Sequence, residues 1–462
     1  MIELSLQEIA EAVQGEILVG NLQTRVAGQV STDSRELGAG DIFFAKLGEN
    51  DNGHNYLDEV AEAGIALAVI SEPRIDLELN QILVADTVAA LAKLAEFVLS
   101  RLRPNGLKVI GITGSNGKTS TKNMLAAMLQ PVGETLSPQG SYNNLVGLPL
   151  TVLRLRETTK FLVLEYGAAG IGSISSLASW TKPDLVAVLK VGMAHAGQWG
   201  GIEVTAQIKA ELVEYAQSVV VLNADDPVVA GFKAPSGLRT KFFGFDQQAD
   251  VRLVRVQLTL SGTQIDLEIA GKPFRANLKI LGEHQAMNLA AALSLAIELG
   301  VDPNLAIAEV EKLSHPERWR MQLTEAEQGY FVINDAYNAS PESMKAALQT
   351  LATIGRQGHR TIAVLGKMAE LGEYSTAEHD AIGRLVVRYN IDKLFAVGEG
   401  SKLIHMGAMQ EGSWDGESEY HESISTAFDA IREKLRPGDV ILVKASNSTG
   451  LRFLGDDLAG AQ

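Results

Sequence analysis

A glycine-rich decapeptide, Gly111-Ile-Thr-Gly-Ser-Asn-Gly-Lys-Thr-Ser120, follows a short apolar run at residues 108–112 and opens a helix-like stretch at 118–130. Strand, glycine turn, then Lys-Thr at a helix start is the order that a nucleoside triphosphate site requires. Gly114 and Gly117 let backbone amides approach phosphate oxygens without a clashing Cβ, and Ser115, Asn116 and Ser120 complete the cradle. The helix N-terminus adds partial positive charge, Lys118 can reach the terminal phosphates, and the Thr119 hydroxyl can ligate Mg²⁺. The strict G-x-x-x-x-G-K-[ST] spacing is not kept, because Ile112 occupies the place of the first glycine and Gly111 lies one residue early. The loop is therefore a variant cradle, Thr-Gly-Ser-Asn-Gly-Lys-Thr.

The chain has 462 residues, too many for one ordinary core, so several domains are expected. Punctuation and periodicity divide it into residues 1–105, 106–315 and 316–462. The first region mixes β-like runs at 41–45 and 66–70 with a helical stretch at 88–102, and closes on Arg103-Pro-Asn-Gly106. In the second, Val/Leu/Ile runs at 108–112, 161–165, 185–189 and 219–223 alternate with amphipathic stretches, which implies a parallel sheet covered by helices. Between 251 and 280 the period drops to two, with Ser261-Gly262 as a turn, and an antiparallel appendage is expected there. Helices at 284–299, stopped by Gly300, and at 304–313 follow. The third region alternates again, with strands at 330–334, 361–365, 393–397 and 440–443 and helices starting at Pro341 and Thr376. The fold class is α/β, with a central ATPase-like parallel-sheet domain between an N-terminal domain and a C-terminal Rossmann-like domain.

Acids exceed bases by 16, which argues against a broad nucleic-acid surface and leaves anions to local basic pockets, for which Lys118 and Arg320 are candidates. The absence of cysteine excludes disulfides and thiolate chemistry. No run approaches eighteen apolar residues, and Met1-Ile-Glu-Leu-Ser-Leu lacks a basic start before an apolar stretch. Cytoplasmic location without membrane insertion is the expectation.

Three further residues could carry chemistry. Glu165 ends the run at 161–165, and a carboxylate at the carboxyl end of a strand beside the loop-bearing one is where a Mg²⁺ ligand belongs; a solvated strand-end acid is the plainer alternative. His195, in Val191-Gly-Met-Ala-His195, falls at the same sheet edge, although an isolated histidine is more often structural. Lys209 lies in an amphipathic stretch at 204–215, where an exposed lysine needs no explanation.

Several segments together resemble the motif series of the Mur ligases of peptidoglycan synthesis. They are Thr113-Gly-Ser-Asn-Gly-Lys-Thr119, Tyr142-Asn-Asn-Leu-Val-Gly-Leu-Pro-Leu150, Val191-Gly-Met-Ala-His195, Leu222-Asn-Ala-Asp-Asp226 and Gly282-Glu-His-Gln-Ala-Met-Asn288. Asn334-Asp-Ala-Tyr-Asn-Ala-Ser-Pro-Glu-Ser-Met344 and Met368-Ala-Glu-Leu-Gly372 resemble the members that add D-alanyl-D-alanine. Ser31-Thr-Asp-Ser-Arg35, Gly40-Asp-Ile-Phe-Phe-Ala45 and Asp51-Asn-Gly-His54 are similar to the family's UDP-sugar-binding region.

The resemblance implies an ATP- and Mg²⁺-dependent ligase, a monomer, acting in cell-wall biogenesis and hence in cell shape and division. Its substrates would be UDP-MurNAc-tripeptide and D-alanyl-D-alanine, joined through an acyl phosphate. It further implies that Lys118 stabilises the transferring phosphoryl group and that Thr119, Glu165, His195 and Lys209, the last as a carbamate, hold metal. Asn288 would approach adenine, and Arg320 and Asp335 the ribose and phosphates, with Tyr337 and Asn338 nearby. Ser31, Asp33, Ser34 and Arg35 would meet the uridine end, Asn143 and Asn144 the sugar-peptide portion. Lys444 and Ser446 fall where the family carries Lys-Gly-Ser-Arg, but here the text is Lys444-Ala-Ser-Asn447. Lys190 and Lys367 are further departures, the first an unexpected positive charge near the metal residues. A diamino-acid-adding ligase is the neighbouring alternative, for which no Asp-Asn-Pro-Arg segment exists. A non-catalytic nucleotide-binding relative is the alternative outside enzymes.

Overall fold

The computed structural model describes residues 1–48, 51–138, 140, 142–193, 196–313, 317–412 and 417–460. Backbone contacts group them into two compact units, one of Met1–Ile112, Leu129–Val186 and Tyr215–Ser218, the other of Thr113–Met128, Ala187–Glu214 and Val219–Gln462.

The first unit opens with a five-stranded sheet in the order Glu16–Val19, Gln81–Leu83, Leu67–Ile70, Ile42–Phe44, Val30–Ser31. Its first pair is antiparallel and the others parallel. Phe43, Ala68 and Ile70 pack with Leu57 and Val60 of the helix Leu57–Glu62 into a small core. The helix Thr87–Leu102 forms because Asp86 caps it, accepting from the amides of Val88 and Ala89. Leu91, Leu94, Ala95, Val98, Leu99 and Leu102 recur at three- and four-residue intervals and form its buried stripe. The chain then turns at Gly106, whose φ of 90° suits glycine, and enters the strand Lys108–Thr113. That strand pairs in parallel with Phe161–Glu165, which pairs in turn with Thr135–Leu136. In this register Glu165 lies opposite Ile112, at the carboxyl end of both strands.

In the second unit Val219–Asn223 pairs in parallel with Arg239–Gly244, which leads into Val251–Thr259. The strands Val251–Thr259, Gly262–Ile269 and Lys272–Leu278 then form the antiparallel appendage that the period-two pattern predicts. A six-stranded sheet follows in the order Gln322–Glu325, Phe331–Asn334, Val440–Lys444, Thr361–Leu365, Lys393–Val397, Ser418–His421. Only the Gln322–Glu325 edge is antiparallel. Alternate residues of its central strands feed two cores, Ile333, Ala363, Leu365 and Leu442 on one face and Val332, Val364, Phe395 and Ile441 on the other.

Element ends shift by a residue or two where a local bond intervenes. The strand expected at 185–189 stops at Val188, and the Leu189 carbonyl instead accepts from Asn223 Nδ2 at 2.8 Å. The helix expected from Asn304 starts at Pro303, with Asp302 capping the amides of Asn304 and Leu305. Among the described residues no helix is long and apolar enough to cross a membrane.

Candidate active site

In the first unit, the Ser31–Arg35 segment is held by its own side chains. Ser31 Oγ donates to Glu36 Oε2 at 2.9 Å and accepts from the Asp33 amide at 3.0 Å, an ST-turn. Asp33 caps the short 3₁₀ turn Ser34–Glu36 through the Arg35 amide and binds the Arg35 guanidinium at 2.6 Å. Those hydrogen bonds from Arg35 hold the Asp33 carboxyl down to about 2. The Arg35 side chain remains 83% exposed, so the turn presents a cation outward.

His54, from Asp51-Asn-Gly-His54, has a structural task. Its Nε2 accepts from the amides of Ser71 at 2.9 Å and Glu72 at 3.2 Å, so Nδ1 carries the proton and donates to Asn52 Oδ1. Burial lowers its pKa, which suits a neutral ring.

Glu165 is 2% exposed, which replaces the solvated strand-end alternative with a buried carboxylate. Asn143 Nδ2 donates to its Oε1 at 2.7 Å. Asn144 spends its side-chain oxygen on the amides of Val146 and Gly147, starting the helix Gly147–Val152. Of the two asparagines assigned to substrate by resemblance, Asn143 therefore orients the carboxylate and Asn144 shapes the turn.

In the second unit the glycine loop has the backbone its sequence requires. Gly114 and Gly117 adopt φ of 150° and 87°, and a Cβ on Gly117 would sit 2.3 Å from Asn288 Oδ1. Only glycine fits there. Lys118, first residue of the helix Lys118–Leu129, folds back so that Nζ donates to the Gly114 carbonyl at 2.8 Å. This puts an ammonium over the loop. Thr119 is buried, Ser120 half-buried. The Asn116 Nδ2 amide is buried with no hydrogen-bond partner, while its Oδ1 receives Ser340 Oγ at 3.4 Å.

The segment 189–193 forms the loop's neighbour. The Ser115 amide donates to the Lys190 carbonyl at 2.8 Å and Ser115 Oγ accepts from the Gly192 amide at 2.9 Å. Asn223 grips the Leu189 carbonyl and Asp226 Oδ2 accepts from the Val191 amide at 3.0 Å. The Leu222–Asp226 motif is thus a clamp on this segment. The Lys190 side chain is exposed. His195 lies outside the described residues.

Lys209 is not a surface lysine. It is 3% exposed on the helix Ile202–Glu214, with Nζ 5.4 Å from the centroid of the Trp199 ring. Asn288 donates through Nδ2 to Gln285 Oε1 at 3.0 Å and braces the Gly117 turn.

Arg320 sits between two residues with positive φ, Trp319 at 64° and Met321 at 50°. Such backbone costs about 1–3 kcal/mol per residue and is kept where surrounding contacts over-determine it. Here the Tyr337 amide bonds the Trp319 carbonyl at 3.1 Å, and the Met321 amide donates to Asp335 Oδ1 at 3.0 Å. The Arg320 guanidinium stacks 4.3 Å from the Tyr337 ring centroid.

Lys444 is 2% exposed. Its ammonium is taken up by Asp335 Oδ2 at 2.6 Å, the Asn338 carbonyl at 2.9 Å and the Asp335 carbonyl at 3.3 Å. With three donors and three protein acceptors it positions the 335–338 turn. Ser446 Oγ accepts from the Ala369 amide at 2.9 Å and ties down the 366–372 loop. His379 does the same from below, accepting the Met368 amide on Nε2 at 2.9 Å and donating from Nδ1 to the Ser375 carbonyl at 2.6 Å. Tyr337, Asn338 and Ser446 border a cavity of about 650 Å³.

Glu342 lies within the Asn334–Met344 motif, where nothing in its residue type singles it out. Its Oε1 accepts from the Met193 amide at 2.6 Å while Oε2 is buried without a partner, so it pins the segment leading to residue 194. Its place at the start of the helix Pro341–Gly355 looks like ordinary first-turn acid chemistry. Among the described residues no three His, Asp or Glu side chains converge as a metal cage. Magnesium does not need one, because it commonly takes one or two carboxylates and fills its octahedron with substrate phosphates and water. A buried carboxylate such as Glu165 and a buried threonine hydroxyl such as Thr119 are donor types that mode uses.

Residues 112–296 match the family model for the Mur ligase middle domain, and residues 319–447 that for the Mur ligase glutamate ligase domain. The chain is 40% identical to the UDP-N-acetylmuramoyl-tripeptide–D-alanyl-D-alanine ligase of Mycobacterium tuberculosis (strain ATCC 25618 / H37Rv), over 99% of this chain and 98% of that protein. Among solved structures it is similar to MurF from Acinetobacter baumannii, with a TM-score of 0.89, 29% identity and 99% of both chains covered. It is also similar to MurF ligase from Thermotoga maritima in complex with ADP, with a TM-score of 0.82, 26% identity, and 94% of this chain and 97% of that one covered.

Proposed function

The chain belongs to the Mur ligase family, in its D-alanyl-D-alanine-adding branch with three-domain α/β architecture, and from that premise we propose how its own residues carry the reaction. The protein is an ATP-dependent ligase that joins D-alanyl-D-alanine to UDP-MurNAc-tripeptide in peptidoglycan synthesis. Family membership implies use of ATP and Mg²⁺. We assign residues 1–105 to the UDP-sugar-peptide, 106–315 to ATP, and 316–462 to the dipeptide and to closure over the nucleotide. A monomer working in the cytoplasm fits this assignment.

A bare carboxylate is a poor electrophile, so the tripeptide carboxylate first attacks the γ-phosphate of ATP, forming an acyl phosphate and releasing ADP. The dipeptide amine then attacks the acyl carbon, phosphate departs and the amine proton is lost to solvent. Little of this is covalent work for the protein, so placement and neutralisation of charge dominate. Gly114, Ser115, Asn116 and Gly117 cradle the phosphates. Lys118 leaves the Gly114 carbonyl for the transferring phosphoryl group, and Asn116 Nδ2 gains the acceptor it lacks.

Thr119, Glu165 and His195, with Lys209 as a carbamate, would hold Mg²⁺, which would supply neutralisation of charge on the phosphates. Asn143 keeps Glu165 aimed. Asn288 and Ser120 support the nucleotide side. Arg320, stiffened by Tyr337, and Asp335, fixed by Lys444, meet the ribose and phosphates, with Asn338 beside them. Ser31, Asp33, Ser34 and Arg35 receive the uridine end.

The observation that carries this reading is the glycine loop at a helix start with a lysine ammonium already lying over it. Purified protein with ATP, Mg²⁺ and UDP-MurNAc-tripeptide should release phosphate and form the pentapeptide with D-alanyl-D-alanine, and not with a diamino acid. Nucleotide binding without product under those conditions would replace it with the non-catalytic reading.

A further inference from the structure

We propose that Arg452 is the carboxylate anchor of the dipeptide, its guanidinium receiving the C-terminal carboxylate of D-alanyl-D-alanine in the 650 Å³ cavity. This rests on the ligase reading above. The cavity is bordered by residues 337–340, 369–371 and 446–448 together with Gly450 and Arg452. Two charged side chains line it, Glu370 and Arg452. A small dipeptide with two methyl groups, an amine at one end and a carboxylate at the other needs one charge of each sign and little else.

Three of the other polar groups around the cavity are committed to the protein. Asn338 Oδ1 accepts from the Ala339 amide at 2.9 Å, Ser340 Oγ donates to Asn116, and Ser446 Oγ holds the Ala369 amide. Lys444, buried beneath the 335–338 turn, has its ammonium on Asp335 and Asn338. Arg452 is placed differently. Its Nη1 bonds the carbonyl and side-chain oxygens of Asn447, and its guanidinium carbon lies 4.4 Å from the Phe453 ring centroid and 5.1 Å from that of Trp319. Its Nε is buried without a hydrogen-bond partner.

A guanidinium pinned at one nitrogen and stacked on rings keeps its planar fork in one orientation, with donors left for a planar anion. A carboxylate taken from water into such a cavity needs that kind of charge-assisted partner. Asn447, which stands where the Mur resemblance places an arginine, is the residue onto which Arg452 folds from the following helix Leu451–Ala459. The missing charge is supplied from five residues further along.

The test compares R452Q and R452K with the unaltered enzyme, measuring KM for each substrate, and offers D-alanyl-D-alanine or its C-terminal amide as acceptor. Charge-assisted hydrogen bonds of this kind are worth roughly 10- to 100-fold in affinity. The unaltered enzyme should prefer the acid over the amide by that factor. R452Q should raise KM for the dipeptide by a similar factor, keep KM for ATP and for UDP-MurNAc-tripeptide within about twofold, and lose the preference; R452K should recover part of it. A purely structural role for Arg452 would lower the melting temperature and disturb all three KM values while the acid-over-amide preference survived, and that result overturns the proposal. Equal use of acid and amide by the unaltered enzyme overturns it without any variant. Absence of ligation with every acceptor would instead remove the ligase reading itself.

Discussion

At the scale of single residues, the partners of a charged group distinguish two buried or half-buried lysines better than burial does. Lys118 and Lys444 both belong to family motifs, yet the first donates to a loop carbonyl while the second makes an ion pair and bonds two carbonyls. Lys118→Ala should therefore lower kcat by at least about 10³-fold while shifting the melting temperature little, since removing one charge-stabilising donor typically costs 10²–10³ and this one faces the phosphoryl group in flight. Turnover near that of the unaltered enzyme would remove the phosphate-loop role. Lys209 calls for a different experiment. An ammonium buried against Trp199 has left water, and conversion to a carbamate would turn it into the anion a metal site needs. Lys209→Ala should lose activity severely and regain part of it with millimolar short-chain carboxylic acids, read as phosphate release; full activity without the acid would show that the side chain does no more than fill space.

At the scale of elements, periodicity made the strands and helices legible because each buries one face or both. Thr361–Leu365 and Lys393–Val397 coincide with their expected bounds, being continuous apolar runs that only a covered sheet can bury. What the pattern could not display is how closely neighbours approach. The helices Ser375–Arg388 and Lys402–Glu411 meet through two glycines: a Cβ on Gly383 would lie 1.9 Å from the Ile404 carbonyl oxygen, and one on Gly407 2.3 Å from that of Asp380. Sequence presents both as helix-weakening residues on polar stretches, and only the packing gives them a purpose. Gly383→Ala would ordinarily favour a helix by roughly 0.5–1 kcal/mol. Here overpacking against backbone costs about 1–3 kcal/mol, so the net change should be a loss of stability, measured as a lower urea midpoint. A higher midpoint would mean that the helices part without penalty. The candidate site was legible in the same uneven way. Motif residues with a chemical reason, such as Gly117 and Glu165, could be picked from the text. Glu342 and Arg452 could not, because each acts on a segment distant in sequence or on a turn that departs from the family pattern.

At the scale of the whole molecule, charge and burial pull stability in opposite directions as pH falls. An excess of 16 acids means that mild acidification relieves repulsion, but at physiological salt charges further apart than about 8 Å are largely screened, so this gain is small. Burial lowers the pKa of His54, His284, His379 and His405. In His54 and His379 the cause has a structural consequence, since Nε2 of each accepts a backbone amide and a proton there would break the bond. The unfolded chain takes up protons near pH 6.5 and the folded chain only below that, so the stabilisation is complete above about pH 6.5 and is lost as pH falls toward the lowered folded values. Glu8, held to about 2 by the Ser5 amide and Arg101, and Asp33 exert their effect only at lower pH, whereas burial raises the pKa of Glu378, whose protonation works against the histidine effect. The melting temperature should fall between pH 7 and pH 5, with a shallower slope in H54Q and H379Q, whatever their absolute stability. His54 belongs to the first compact unit and His379 to the second, so each variant should flatten the pH response of its own unit, followed by amide exchange in residues 67–83 and 361–374 respectively. A melting temperature that holds level from pH 7 to pH 5, or a slope indifferent to both substitutions, would mean that these rings accept a proton without giving up their amides.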